Sequence, residues 1–152
     1  MSTYKRILAL VAFNSDSAAV TKRAVQLSRS YGATLALASV VDYAPGFESD
    51  HVPFLSPGEM RQAIVRDLRE KLDQMMTEAG AGGCEIIVGC GSEQEVVSEL
   101  TRSWRPDLVL VGSSARHGLD RNGERAAYDV LTIQSNRPTF AGRMINALAA
   151  AL

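Results

Sequence analysis

Short, nearly continuous apolar runs alternate along this chain with stretches of helical period, and that alternation leaves few folds open. "KRILALVAF", "TLALASVV", "CEIIVG" and "DLVLVG" each carry at least four apolar residues in close succession. A strand apolar on both sides has to be covered on both faces, which is the mark of a parallel sheet. The intervening segments supply the cover. Val20, Ala24, Leu27 and Tyr31 recur at helical spacing before Gly32. Ile64, Val65, Leu68, Leu72, Met75 and Met76 form a longer stripe that Gly80 stops, and Val96, Val97, Leu100 and Trp104 make a third. The starts are signalled too: Asn14 to Ser17 are capping residues, and "SPGE" and "SEQE" are capping boxes at Ser56 and Ser92. On the second helix Asp67 and Lys71 stand four residues apart, a solvated face rather than a site.

Strands alternating with helices mean an α/β, doubly wound fold. The crossover lengths and their right-handedness predict a five-stranded parallel sheet of order 3-2-1-4-5 with helices on both faces. The last strand is ambiguous from local chemistry. "ERAAYDVLTIQSN" reads as a fourth crossover helix followed by a strand at "PTFAG". Alternatively "YDVLTIQ" is itself the strand, as its β-branched residues favour, with the crossover squeezed into 16 residues. Either way "GRMINALAAAL" reads as a terminal helix.

Bulk properties exclude several classes. The 152 residues suit one domain, 1–152, with the C-terminal helical extension beginning at about residue 143. A net charge of −1 gives no reason to expect nucleic acid or an anionic membrane as partner. Cys84 and Cys90 are too few for a disulfide framework and have no zinc-binding neighbourhood, which suggests a reducing, cytoplasmic setting. "KRILALVAF" is at the short limit for a signal peptide, and no convincing cleavage site follows, so a buried first strand is the better reading. His51 with Asp50 and Glu48 makes a poor ligand set, and no metal site is expected.

The one stretch that suggests ligand chemistry is "DLVLVGSSARHGLDRNGERAA", residues 107–127. A strand ends at Gly112 and small residues follow, so backbone N–H groups of Ser113 and Ser114 could cradle an anion beside Arg116. A turn capping the next helix explains the same residues equally well. His117 has no nucleophile or carboxylate partner that spacing can name. Cys90 in "GCGSE" precedes a helix start, but a third strand belongs at the sheet edge, away from the switch point where ligands bind.

The chain resembles the universal stress protein family from residue 4 to about residue 142. The resemblance is carried by "YKRIL", "TKRAVQLSRSYGATLALASVV", "GSEQEVVSEL" and "PDLVLVGSSARHGL". Aligned without gaps, it lays the family's fourth helix over Val130 and Leu131 and its proline before the last strand on Pro138, which favours helix then strand. Nucleotide-binding members carry G-x2-G-x9-G-[ST] after the fourth strand and an acidic residue at the end of the first. Here only Gly112 of that motif matches; Ala115, Arg125 and Ala126 hold the other positions, and Ala12 stands in place of the aspartate. Val40 matches the adenine-contact position. A Cβ where the chain must hug phosphate costs about 1–2 kcal/mol. Two lost polar contacts cost about 1–3 kcal/mol each once buried. The combined loss, about 3–8 kcal/mol, is enough to turn micromolar binding into millimolar.

The resemblance therefore implies a non-enzymatic stress-response module, a regulatory or interaction protein without a cofactor. It implies a homodimer with an unknown protein partner. The alternative is a sensor that still holds ATP or AMP through the residual loop, with Arg125 pairing a phosphate. A hydrolase of related fold is disfavoured, because "FNSDS" lacks the glycine pair such chemistry needs.

Overall fold

A computed structural model describes residues 4–12, 16–41, 56–112 and 128–134 of the chain. Five parallel strands make one sheet: β1 (Arg6–Leu10), β2 (Thr34–Val41), β3 (Glu85–Cys90), β4 (Leu108–Gly112) and β5 (Asp129–Ile133). Their order is β3-β2-β1-β4-β5, as the crossover lengths predict. Helices α1 (Ser17–Tyr31), α2 (Pro57–Glu78) and α3 (Glu93–Trp104) link the first four strands.

The apolar strands are apolar because both sides are covered. Along β1 and just past it, Ile7, Ala9 and Val11 join one core cluster with Val20, Ala24, Leu72 and Met76 of α1 and α2. Leu8 and Leu10 point the other way, into a second cluster with Val97 and Trp104 of α3. The helix boundaries follow their caps. Ser56 accepts a hydrogen bond from the Glu59 N–H at 3.3 Å, and the Ser56 N–H donates back to the Glu59 carboxylate at 3.4 Å. At α3 the Ser92 hydroxyl accepts from the Glu95 N–H at 3.4 Å. Gly32 ends α1 at φ 62°, a left-handed position that glycine adopts without strain.

β5 corrects the alignment-based expectation. Val130 and Leu131 are strand residues, paired with Val109 and Leu110, where the ungapped alignment laid the fourth helix. The physical reason lies partly in "DVLTI" itself, whose β-branched residues suit a pleated surface. The rest is tertiary: Leu131 and Ile133 pack against the α1–α2 core, and the strand occupies the open edge of β4. The 16 residues from 113 to 128 exceed the dozen or so that a parallel crossover needs. "PTFAG" and the terminal helix from residue 143 lie outside the described residues.

The N-terminal ends of the central strands are laced together by polar groups. The Asp107 carboxylate accepts from the N–H groups of Lys5 and Arg6 at 2.7 and 2.9 Å. The Asp129 N–H donates to the Asp107 carbonyl at 2.9 Å, which sets where β5 begins. The Tyr4 hydroxyl donates to the Asp129 carboxylate at 2.8 Å, and that bond, ahead of burial, pushes the phenol's pKa above its ordinary value. Trp104 closes α3 onto this end: its indole N–H donates to Glu85 at 3.0 Å, while the Arg6 guanidinium lies 4.0 Å from its ring centre.

Candidate functional site

With one end of the sheet engaged in these structural bonds, the C-terminal ends of the strands are left for chemistry. In a doubly wound sheet the crevice opens there, at the switch between neighbours whose crossovers run in opposite directions, here β1 and β4. Ala12 follows β1 and is exposed, and Val40 is half-buried near the end of β2. Both line a cavity of about 400 Å³ over the ends of β1 and β2. Ile64 and Leu68 of α2 and Glu93 and Val97 of α3 complete much of its wall.

The polar groups in this wall are largely engaged by the protein itself. The Val11 N–H donates to the Ala38 carbonyl at 2.8 Å, and the Ser39 hydroxyl donates to the Val11 carbonyl at 2.8 Å. The Gly91 N–H donates to the Val41 carbonyl at 3.0 Å. Glu93 is exposed at the first position of α3, where the helix macrodipole favours a carboxylate.

Gly112 ends β4, is buried, and does not line this cavity among the described residues. Its missing side chain leaves room for Asp16. A Cβ on Gly112 would stand 3.0 Å from the Asp16 Cβ and 3.3 Å from its carboxylate oxygen. Asp16 is only 6% exposed, and at the N-cap position of α1 its side chain makes no capping hydrogen bond. A side chain at 112 would thus need Asp16 to give by a few tenths of an ångström. Sequence reasoning read residues 14 to 17 as capping chemistry and missed this carboxylate. The available signal was an acid four residues after Ala12, in the loop that a doubly wound sheet brings beside the end of its fourth strand.

The structure brings Ala12 and Val40 to one cavity and sets Gly112 against Asp16. Ser113, Ser114, Arg116 and Arg125, with His117, lie outside the described residues. Cys90 is exposed on the edge strand β3, remote from the β1–β4 switch point. Among the described residues no group of three His, Cys, Asp or Glu side chains is placed to hold a metal. Within the same residues no helix is long and apolar enough to cross a membrane.

A five-stranded parallel sheet of order 3-2-1-4-5 flanked by helices defines a doubly wound α/β class, and comparison with known proteins narrows it. The model of the universal stress protein family matches residues 3–122. The chain belongs to the universal stress protein family. The match ends before β5, the element at which the ungapped alignment fails. Universal stress protein A homolog 2 of Coxiella burnetii is 26% identical over 121 residues, covering 78% of this chain and 82% of that protein. Among solved structures, a universal stress protein in complex with cAMP superposes with a TM-score of 0.63 at 20% identity, covering 86% of this chain and 97% of that one. An Arabidopsis thaliana member of the family with AMP bound gives 0.57 at 18% identity, with 88% and 93% covered.

Proposed function

We propose that this protein is a non-enzymatic, cytoplasmic stress-response module, a regulatory or interaction protein that does not retain ATP. The observation that carries this reading is the packing of Asp16 against Gly112. The glycine that would let a phosphate approach instead makes room for a side chain of the chain itself. The β5 assignment adds support. Counted along the motif from Gly112, Arg125 and Ala126 hold its last two positions, and β5 begins only three residues later at Asp129. A strand beginning at Asp129 leaves no room for a crossover helix after Ala126.

A second reading, a nucleotide sensor, has its own support. Relatives of the same fold have been solved with cAMP and AMP, and Val40 lines a cavity where an adenine would lie. Asp16 also supplies a carboxylate near the place where Ala12 lacks one. Calorimetry with ATP and with AMP separates the two. The expected outcome is a dissociation constant weaker than about 10 μM, corresponding to less than about 7 kcal/mol. A tighter value for either nucleotide would establish the sensor.

We also propose a homodimer formed along the outer edge of β5. Among the described residues that edge is the end of the sheet, and Val130 is 43% exposed there. Pairing it across a two-fold axis would satisfy the free backbone groups and cover Val130. Light scattering at tens of micromolar, roughly the concentration of ordinary assays, should give twice the monomer mass. A monomer there would overturn the proposal, and Val130→Lys should shift a dimer toward monomer.

A further inference from the structure

We infer that Arg69 guards the outer edge of β3, and that without it this edge pairs with the same edge of a second copy of the chain. The inference goes beyond the functional reading and does not depend on it. Among the described residues β3 is hydrogen-bonded on one side only, to β2. The ladder sets the direction of its other backbone groups. In a parallel pair, alternate residues turn their N–H and C=O toward the same neighbour. The Gly91 N–H donates to the Val41 carbonyl at 3.0 Å, so Glu85, Ile87 and Gly89 face β2 as well. Ile86, Val88 and Cys90 therefore turn theirs outward.

A row of outward N–H and C=O groups is a template for another strand, and the composition of β3 makes it a good one. "EIIVGC" has three β-branched residues in succession and neither charge nor proline after Glu85. Glu85 itself is held by the Trp104 indole N–H. Arg69, exposed on α2, reaches across this edge, and its guanidinium donates to the outward Ile86 carbonyl at 3.2 Å. An incoming strand would have to break that bond and displace a charged group before it could pair. The consequence is larger for a dimer formed through β5. Each such dimer offers two β3 edges, and pairing at both builds an open chain of molecules rather than a closed particle.

The test compares the full-length wild type with Arg69→Ala and Arg66→Ala by light scattering across a concentration series. Arg66 is also exposed on α2, so both variants lose one positive charge, but only the first loses the bond to Ile86. Arg69→Ala is expected to grow beyond the wild-type mass at a concentration about tenfold below that of either other protein, the scale of one hydrogen bond to a charged group. The Ile86 and Val88 amides should then exchange with solvent more slowly than in the wild type at the same concentration. Val88→Pro, added to Arg69→Ala, removes an outward N–H that only a partner strand would use, and should return the mass to that of the wild type. Thermal melts show whether the double variant is folded; where it is not, amide exchange in Arg69→Ala decides. No growth of Arg69→Ala, or equal growth of Arg66→Ala, would overturn the inference. So would growth that leaves exchange at Ile86 and Val88 unchanged, or that persists in a folded double variant. Growth that stops at twice the monomer mass supports the guard and counts against the β5 dimer, which keeps the two proposals apart.

Discussion

Replacing Trp104 by alanine should remove about 3–5 kcal/mol of unfolding free energy, a large part of the roughly 5–15 kcal/mol that holds a native domain together. The side chain is 8% exposed and belongs to the core beneath α3. It also joins three elements at once. Its indole N–H bonds to Glu85 of β3, its carbonyl accepts from the Arg6 Nε at 2.9 Å, and its ring carries the Arg6 guanidinium. Truncation therefore leaves both a cavity and a charge that has lost its aromatic cover. Trp104→Phe should restore much of the packing but not the bond to Glu85, and so should cost less than the alanine variant. Urea unfolding followed by circular dichroism measures both, since Trp104 is the sole tryptophan and cannot serve as the probe. A loss below about 1 kcal/mol in Trp104→Ala would mean that α3 is held by something else.

Gly89→Ala is expected to destabilise by about 1–3 kcal/mol, although it adds a single methyl group to a strand. A Cβ there would stand 2.2 Å from a methyl carbon of Val96, which is 9% exposed at the start of α3. The Val96 side chain rests on the strand backbone at this point, and the valine or the start of α3 must shift to admit the methyl. Val96→Ala alone should also destabilise, through lost burial. The combination of the two should be more stable than Gly89→Ala by itself, because the new methyl then enters the space the valine vacates. Strict additivity of the two losses in a double-mutant cycle would show that the clash is relieved elsewhere.

Gly89 shows what a sequence reading passes over. In "CEIIVGC" it looks like the end of a strand, and nothing local says that a helix beginning four residues later will sit on it. Gly112 shows the same from the functional side. Its place after a strand suggested a phosphate cradle, whereas the chain uses the space for Asp16, 96 positions away. The residues of the expected site divide accordingly. Ala12 and Val40 share a cavity, as strands two and one are neighbours in the predicted order. Gly112 faces Asp16 across the β1–β4 switch point instead.

Local pattern is enough to place four strands, three helices and the order of the sheet. Apolar runs, helical stripes and capping residues are read over a few residues at a time, and crossover handedness then leaves one economical order for the sheet. The caps at Ser56 and Ser92 formed where the local pattern placed them, because a capping bond spans three residues and needs no partner from elsewhere. The identity of β5, by contrast, depends on contacts between distant parts of the chain. "DVLTI" is short and apolar, and such a run fits helix or strand until a neighbour offers a ladder of hydrogen bonds, which β4 does from Leu108 to Gly112. Such contacts decided the site as well. A carboxylate packed against a glycine and an apolar cavity walled by β1, β2, α2 and α3 are relations between distant segments, and local pattern carries no information about them.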